Sequence, residues 1–311
     1  MRYQRKSDFL DGIINIYKEK GYTSHDVVAI VRKTLNYPKV GHTGTLDPDA
    51  EGVLPVCIGK GTKLADYITA ETKRYVAEIT LGITTDTEDA SGKILEQREV
   101  NFDEKIIKET IEQFKGEYMQ IPPMYSAIKM GGKKLYELAR QGKTVERKAR
   151  KVFIYDIKIL EMQPPNKIKI DVICSKGTYI RTLCTDIGKQ LGCGACMSSL
   201  LRTQTGEFKL ENSIKLEELK KMVAQERIQE ALIGLDKVLS SYPKLYTNQK
   251  VVKNLYNGNV IYEYGIVKNG VTFEQGKEVL VYDYEGNFIG IYKILKQEND
   301  KWCIKPEKML I

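Results

Sequence analysis

Residues 39–56 read KVGHTGTLDPDAEGVLPV, placing three glycines, one of the chain's two histidines and an Asp-Pro step within eighteen positions. Asp47 precedes a proline, which restricts it to extended conformations. Its flanks are more regular. Thr23-Ser24-His25-Asp26 has the spacing of a capping box ahead of Val27, Val28, Ile30, Val31 and Leu35, which predicts a helix that delivers the chain to the loop. The apolar segment that follows, EGVLPVCIGKGTKLADYI, predicts a short buried strand and then a helix.

The same patterns extend along the chain. The opening DGIINIYKEKG reads as a strand, and Tyr75, Ala77, Ile79 and Leu81 alternate as a half-buried one. Period-2 apolar positions predict strands at 152–160 and 168–174, and helices are expected at 104–114, 179–191 and 216–231. Beyond residue 240 the composition shifts to Tyr, Val and Ile cut by Asn-Gly and Glu-Gly turns, the signature of short strands. The chain therefore divides into residues 1–240 and a small β-rich domain at 241–311.

With 311 residues, 42% of them hydrophobic, the chain can bury a substantial core, and disordered or fibrous architectures are excluded. No apolar run approaches the roughly 20 residues needed to cross a bilayer, and MRYQRKSDFLDG has no apolar signal core. A soluble, cytoplasmic protein is expected. The six cysteines lack framework spacing and are expected to be reduced thiols. Cys193-Gly-Ala-Cys196 has no second Cys/His pair to complete a zinc site, so small packed residues beside a Gly-rich turn are expected there.

The net charge of +8 is concentrated. Between Lys129 and Lys151 nine basic residues (Lys129, Lys133, Lys134, Arg140, Lys143, Arg147, Lys148, Arg150, Lys151) face two acidic ones, Glu137 and Glu146. Such a block, interleaved with Tyr136 and glycines, suits a phosphate backbone, whose neutralisation releases counterions. A solvated, charge-rich hairpin is the competing reading.

Other motifs are weaker. The Gly-Lys step of CIGKGTKL lacks the following Ser or Thr of a nucleotide loop. TTDTEDASG carries Asp86, Glu88 and Asp89 but no later glutamate at the offset of a calcium loop, so it reads as a turn with solvated carboxylates. Asp47 itself has two readings. It is a turn residue bonding nearby amides, or a carboxylate held out as nucleophile or base in a loop whose glycines let a ligand approach. A working carboxylate needs a cation to aim it. Arg181, in CSKGTYIRTLCTDIG, stands near the positive end of an expected helix, against the dipole preference, and is the candidate partner.

Four blocks carry a resemblance: KVGHTGTLDPDAEGVLPVCIGKGTKLADYI, KRYVAEITLGITTDTEDASG, IPPMYSAIKMGGKKLYELARQG and CSKGTYIRTLCTDIGKQLGCGA. In this order and spacing they resemble the bacterial TruB family of tRNA pseudouridine synthases, and the C-terminal segment resembles a PUA-type RNA-binding domain. The resemblance implies an α+β fold, with a mixed, largely antiparallel sheet, and isomerisation of uridine 55 in the tRNA T arm to pseudouridine. It implies no metal or organic cofactor, and a monomer that needs no protein partner. By position it makes Asp47 the catalytic aspartate, attacking C6 of uracil or C1′ of ribose or working through a glycal. Tyr75 would stack on the flipped base, Arg181 pair with Asp47, Tyr179 line the pocket and His42 hold the T loop open. Lys18 and Gly21 fit an early Lys-Pro-x-Gly segment in which Glu19 replaces the proline, which leaves Lys18 a substrate-binding candidate. The basic block coincides with a family insertion at about 124–152 that closes on the tRNA arm. The alternatives are the related catalytic subunit of guide-RNA-directed particles, against which the insertion argues, and a tRNA-folding chaperone with secondary catalysis.

Overall fold

The computed structural model describes residues 10–267, 270–298 and 300–311. Residues 1–9, which hold most of the stretch judged to lack a signal core, lie outside the described residues. The chain enters through strand β1 (Gly12–Lys18) and helix α1 (Ser24–Leu35). Thr23 and Asp26 form the capping box at the start of α1: the Asp26 amide donates to Thr23 Oγ1 at 3.0 Å and the Thr23 amide to Asp26 Oδ2 at 2.8 Å. Such a cap contributes about 1 kcal/mol. Val27, Val28, Val31 and Leu35 go into a core shared with Ile14, Ile16, Leu54 and Val56, where each fully buried side chain adds about 1.5–3 kcal/mol.

Next come β2 (Val40–His42), β3 (Glu51–Ile58), α2 (Ala65–Ala70) and β4 (Lys73–Leu81). A side hairpin pairs β5 (Ile83–Thr85) with β6 (Ile94–Gln97), and α3 (Glu104–Glu112) leads to β7 (Gly116–Gln120). The basic segment forms a small excursion, β8 (Lys129–Met130), β9 (Lys133–Lys134) and α4 (Leu135–Arg140). The chain returns through β10 (Arg150–Gln163), β11 (Lys167–Cys174), α5 (Ile180–Gln190), β12 (Ala195–Thr205), β13 (Phe208–Lys209) and α6 (Leu216–Ala224).

The main sheet has the order β1-β3-β12-β4-β11-β10-β7, with β2 on β3 and β13 on β12. Every pairing in it is antiparallel except β12 with β3. Helices α3 and α5 cover one face over a core of Ala77, Ile79, Ile154, Ile170, Val172, Leu183 and Ile187. This is the mixed, largely antiparallel α+β architecture. The remaining strands, β14 (Lys244–Thr247), β15 (Ile261–Tyr262), β16 (Ile266–Val267), β17 (Glu278–Tyr282), β18 (Phe288–Lys296) and β19 (Trp302–Met309), make a separate sheet ordered β15-β19-β18-β17-β14-β16. Leu280, Tyr282, Ile291 and Leu310 join Ile13, Val53, Leu64 and Ile68 in one apolar cluster, so the two sheets share a core. Among the described residues no helix is long and apolar enough to cross a membrane.

Two departures from the sequence expectations have clear causes. The helix expected to reach residue 231 stops at Ala224, because Glu226 turns into the left-handed region (φ 57°) and the Arg227 amide closes on the Met222 carbonyl at 2.8 Å. Strand β12 was not anticipated at all, yet it is central. Its pairing with β4 carries two register shifts, between Met197 and Ser199 and between Arg202 and Gln204, which destroy the period-2 pattern. At Cys193-Gly-Ala-Cys196 both thiols are buried beside a tight return in which the Gly194 amide donates to the Gly188 carbonyl at 2.9 Å.

Candidate active site

Asp47 is carried by the loop between β2 and β3, and the loop is pinned from three directions. Ser24, the first residue of α1, accepts from the Leu46 amide at 2.9 Å and donates to the Leu46 carbonyl at 3.1 Å. Thr43 is fully buried and its amide donates to the Pro55 carbonyl at 3.1 Å. Lys18, at the end of β1, is also fully buried and donates from Nζ to the carbonyls of Tyr22 at 2.6 Å, Pro48 at 3.0 Å and Glu19 at 3.2 Å. Burial pushes its ammonium down to about 8. Lys18 thus lies beneath the Asp47-Pro48 step and not on the open face of the loop.

Arg181 is the second residue of α5 and is buried to 5% exposure, while the Asp47 side chain remains 40% exposed. Its Nε lies 2.9 Å from Asp47 Oδ2 and its Nη2 3.4 Å from Asp47 Oδ1. Nη1 donates to the Thr87 carbonyl at 2.8 Å, and Nη2 also donates to the Tyr125 carbonyl at 2.7 Å. Asp89 Oδ2 stands 3.8 Å from the same Nε. The carboxylate, itself partly open to solvent, therefore rests against a planar fork that is held by three further groups, Thr87, Tyr125 and Asp89. Dehydration raises the pKa of Asp47, Arg181 opposes the rise and Asp89 adds to it.

The other candidates surround this pair. Tyr75, on β4, is buried at 8% exposure in the core below the loop. Tyr179 caps α5 and is half-buried. Gln120 grips it from β7, donating to the Tyr179 carbonyl at 2.9 Å and accepting from its amide at 2.8 Å. His42 is half-buried with its ring edge-on to His25 at 5.3 Å, and its Nδ1 is buried without a hydrogen-bond partner. Burial, aided by the neighbouring His25 and Arg202, pushes its pKa down to about 4, so the imidazole is neutral at physiological pH.

The acidic turn requires a correction. Asp86 is exposed, but Glu88 and Asp89 fold inward. Thr182 Oγ1 donates to Glu88 Oε2 at 2.5 Å, and burial raises the Glu88 pKa. Asp89 accepts from Thr87 Oγ1 at 2.7 Å and Ser91 Oγ at 2.6 Å while facing Arg181. The glycines were also expected to admit a ligand, and two of them serve the protein's own packing. Gly52 has φ 105°, and a Cβ there would lie 2.2 Å from the Arg202 carbonyl; Gly44 has φ 70° and faces Arg202 Nη1. Arg202 is a site residue the sequence analysis missed, since the only sign of it was a charge ending the apolar run of MSSLLR.

In the insertion, Lys129, Lys133, Arg140, Lys143 and Lys148 are exposed. Lys134 is half-buried, with Nζ 5.4 Å above the Tyr136 ring, a ring that Arg140 also approaches at 5.4 Å. Arg147 turns inward: Nη1 donates to the Pro122 carbonyl at 3.0 Å and Nε is buried without a partner. Among the described residues no group of three or more His, Cys, Asp or Glu side chains is arranged to hold a metal ion. A hollow lined by Leu81, Asn101, Ile107 and Leu191 lies at the opposite end of α5 and shares no residue with this cluster.

Residues 32–180 match the family described as TruB family pseudouridylate synthase (N terminal domain), and residues 181–243 match the tRNA pseudouridylate synthase B C-terminal domain. The chain belongs to the TruB family. It is 49% identical over 301 residues to the tRNA pseudouridine synthase B of Alkaliphilus oremlandii, covering 97% of this chain and 99% of that one. The namesake enzyme of Lachnoclostridium phytofermentans is also 49% identical, over 97% and 100% of the two chains. Among solved structures, a chain of a Cbf5-Nop10-Gar1 complex superposes with a TM-score of 0.76 at 29% identity, covering 97% of this chain and 85% of its own. In this TruB chain the N-terminal match ends at Ile180 and the C-terminal match starts at Arg181, so the Asp47–Arg181 contact joins the two matched regions.

Proposed function

We propose that this TruB enzyme converts uridine 55 in the T arm of tRNA to pseudouridine, with Asp47 as the attacking group. Pseudouridylation of tRNA follows from the family and from relatives named for it that match nearly the whole chain. The finer assignment is carried by one observation: a single carboxylate, 40% exposed, aimed by a buried bidentate arginine. Uridine and pseudouridine are isomers. The C1′–N1 bond breaks, the base turns, C1′ bonds to C5, and the proton lost from C5 is balanced by one gained at N1. The site must therefore attack once and hold the detached base throughout.

Asp47 supplies the attack, at C1′ or C6 or as the base of a glycal route. Tyr75 and Tyr179 bound the space the base occupies, which the nucleotide reaches by flipping, because its reacting atoms are stacked inside a folded T loop. His42, half-buried and with a neutral imidazole, is the residue that holds the flipped-out loop open. Lys18 contributes by holding the Pro48 turn. The insertion at about 124–152 closes on the RNA, and residues 241–311 form a PUA-like RNA-binding domain. The enzyme acts as a monomer, and in the reducing cytoplasm, where its six unpaired cysteines belong.

Incubation with an unmodified tRNA transcript labelled in uridine, followed by mapping of the product, tests the target. Pseudouridine confined to position 55 is expected; product elsewhere would remove the T-loop assignment but leave the chemistry. Charge reversal at Lys129, Lys133 and Lys148 tests the insertion. Each is expected to weaken tRNA binding and to flatten the log–log salt dependence by roughly one unit per lost phosphate contact. An unchanged slope would return the block to a solvated surface.

A further inference from the structure

Arg202 is 1% exposed and among the largest fully buried side chains of the protein. Among the described residues no carboxylate lies within ion-pair distance of it. A buried cation without a counter-ion is costly, and a neutral chain of similar length would fill the same space at lower cost. Its surroundings indicate why it is there.

The register of β12 sets Arg202 directly opposite Gly52 of β3 on one side and opposite Tyr75 of β4 on the other. A register shift begins immediately after it, between Arg202 and Gln204. Nε donates to the Val53 carbonyl at 2.7 Å and Nη2 to the Gly44 carbonyl at 2.9 Å. Those two carbonyls bracket the segment that carries Asp47. The same guanidinium lies beside the Tyr75 hydroxyl. One rigid, planar group thus spans both ends of the loop and the aromatic ring.

We propose that Arg202 is a positioning residue of this active site, fixing the Asp47 loop and the Tyr75 ring relative to each other from below, without touching RNA. The role rests on the assignment of Asp47 as the attacking group. A lysine cannot replace it, since a single ammonium cannot hold both the Val53 and Gly44 carbonyls in the fixed geometry of a planar fork. The positive charge also reaches His42, where it adds to burial in keeping the imidazole neutral.

The test uses the full chain carrying Arg202→Met, Arg202→Lys or Asp47→Asn, with single-turnover rates, tRNA affinity and thermal unfolding measured for each. Arg202→Met is expected to lower the single-turnover rate about 100-fold, the scale of a 1 Å misplacement of reacting groups, with affinity within about threefold, because Arg202 has no surface for RNA. Arg202→Lys is expected to recover less than about tenfold of that loss. Combined with Tyr75→Phe, the Met substitution is expected to cost less than the product of the two separate losses, since both act on one arrangement. A folded Arg202→Met with a rate within twofold of the parent would overturn the role. So would equal losses in rate and affinity, or failure of both Arg202 variants to fold, either of which would make the residue purely structural. Asp47→Asn separates the two levels of the argument. Turnover by that variant removes the catalytic assignment itself, whereas an inert Asp47→Asn beside a fully active Arg202→Met removes only the positioning role.

Discussion

Asp47→Asn is expected to reduce pseudouridine formation by at least about 10⁴-fold while leaving tRNA affinity within about threefold. The amide keeps the shape of the carboxylate and can still accept from Arg181, but it has no charge with which to attack. The fold should tolerate the change. Burial raises the Asp47 pKa, so the folded protein holds that proton more tightly than the unfolded chain does. Ionised Asp47 therefore costs stability above its folded pKa, and a neutral side chain relieves that cost. An unfolding temperature equal to or slightly above the parent's is expected. The same shift sets a pH signature: the single-turnover rate of the parent should fall, as pH is lowered, at a higher pH than an ordinary carboxylate would dictate. Substantial turnover by Asp47→Asn would end its assignment as the attacking group.

Arg181→Met should give the second-largest effect and a different pattern. It removes the fork from Asp47 and leaves the Thr87 and Tyr125 carbonyls without their donor. A loss of roughly 10²–10³ in single-turnover rate is expected, from lost aim and lost electrostatic support. Unfolding free energy should drop by about 2–3 kcal/mol, below the 3–5 of a fully buried pair, because Asp47 is 40% exposed. The distinguishing measurement is the pH profile. Arg181 is the main attraction opposing the upward shift of Asp47, so its removal should move the acid limb to still higher pH. An acid limb that stays in place would mean that Arg181 supports the fold without tuning the carboxylate.

The elements that sequence patterns located are those whose determinants are local. The capping box of α1 lies within four consecutive residues, the alternation of β4 within nine, and the basic insertion is contiguous. Asp47 and Arg181 were each conspicuous for local reasons as well, one before a proline in a glycine-rich loop, the other a cation near a helix N-terminus. Strand β12 was invisible because its two register shifts cancel the periodicity that marks a strand, although it is central in the sheet.

What sequence alone determined here is the family, the mixed element content, the change of character near residue 240 and the carboxylate worth asking about. What only the tertiary structure decided is who stands opposite whom. Asp47 and Arg181 meet across 134 positions of chain. Lys18 is turned beneath the loop, Glu88 and Asp89 inward, and Gly52 is tied to the backbone of Arg202. Hydrogen bonds and ion pairs act over a few ångströms, and it is sheet register and helix packing that bring residues from distant parts of the chain within that range.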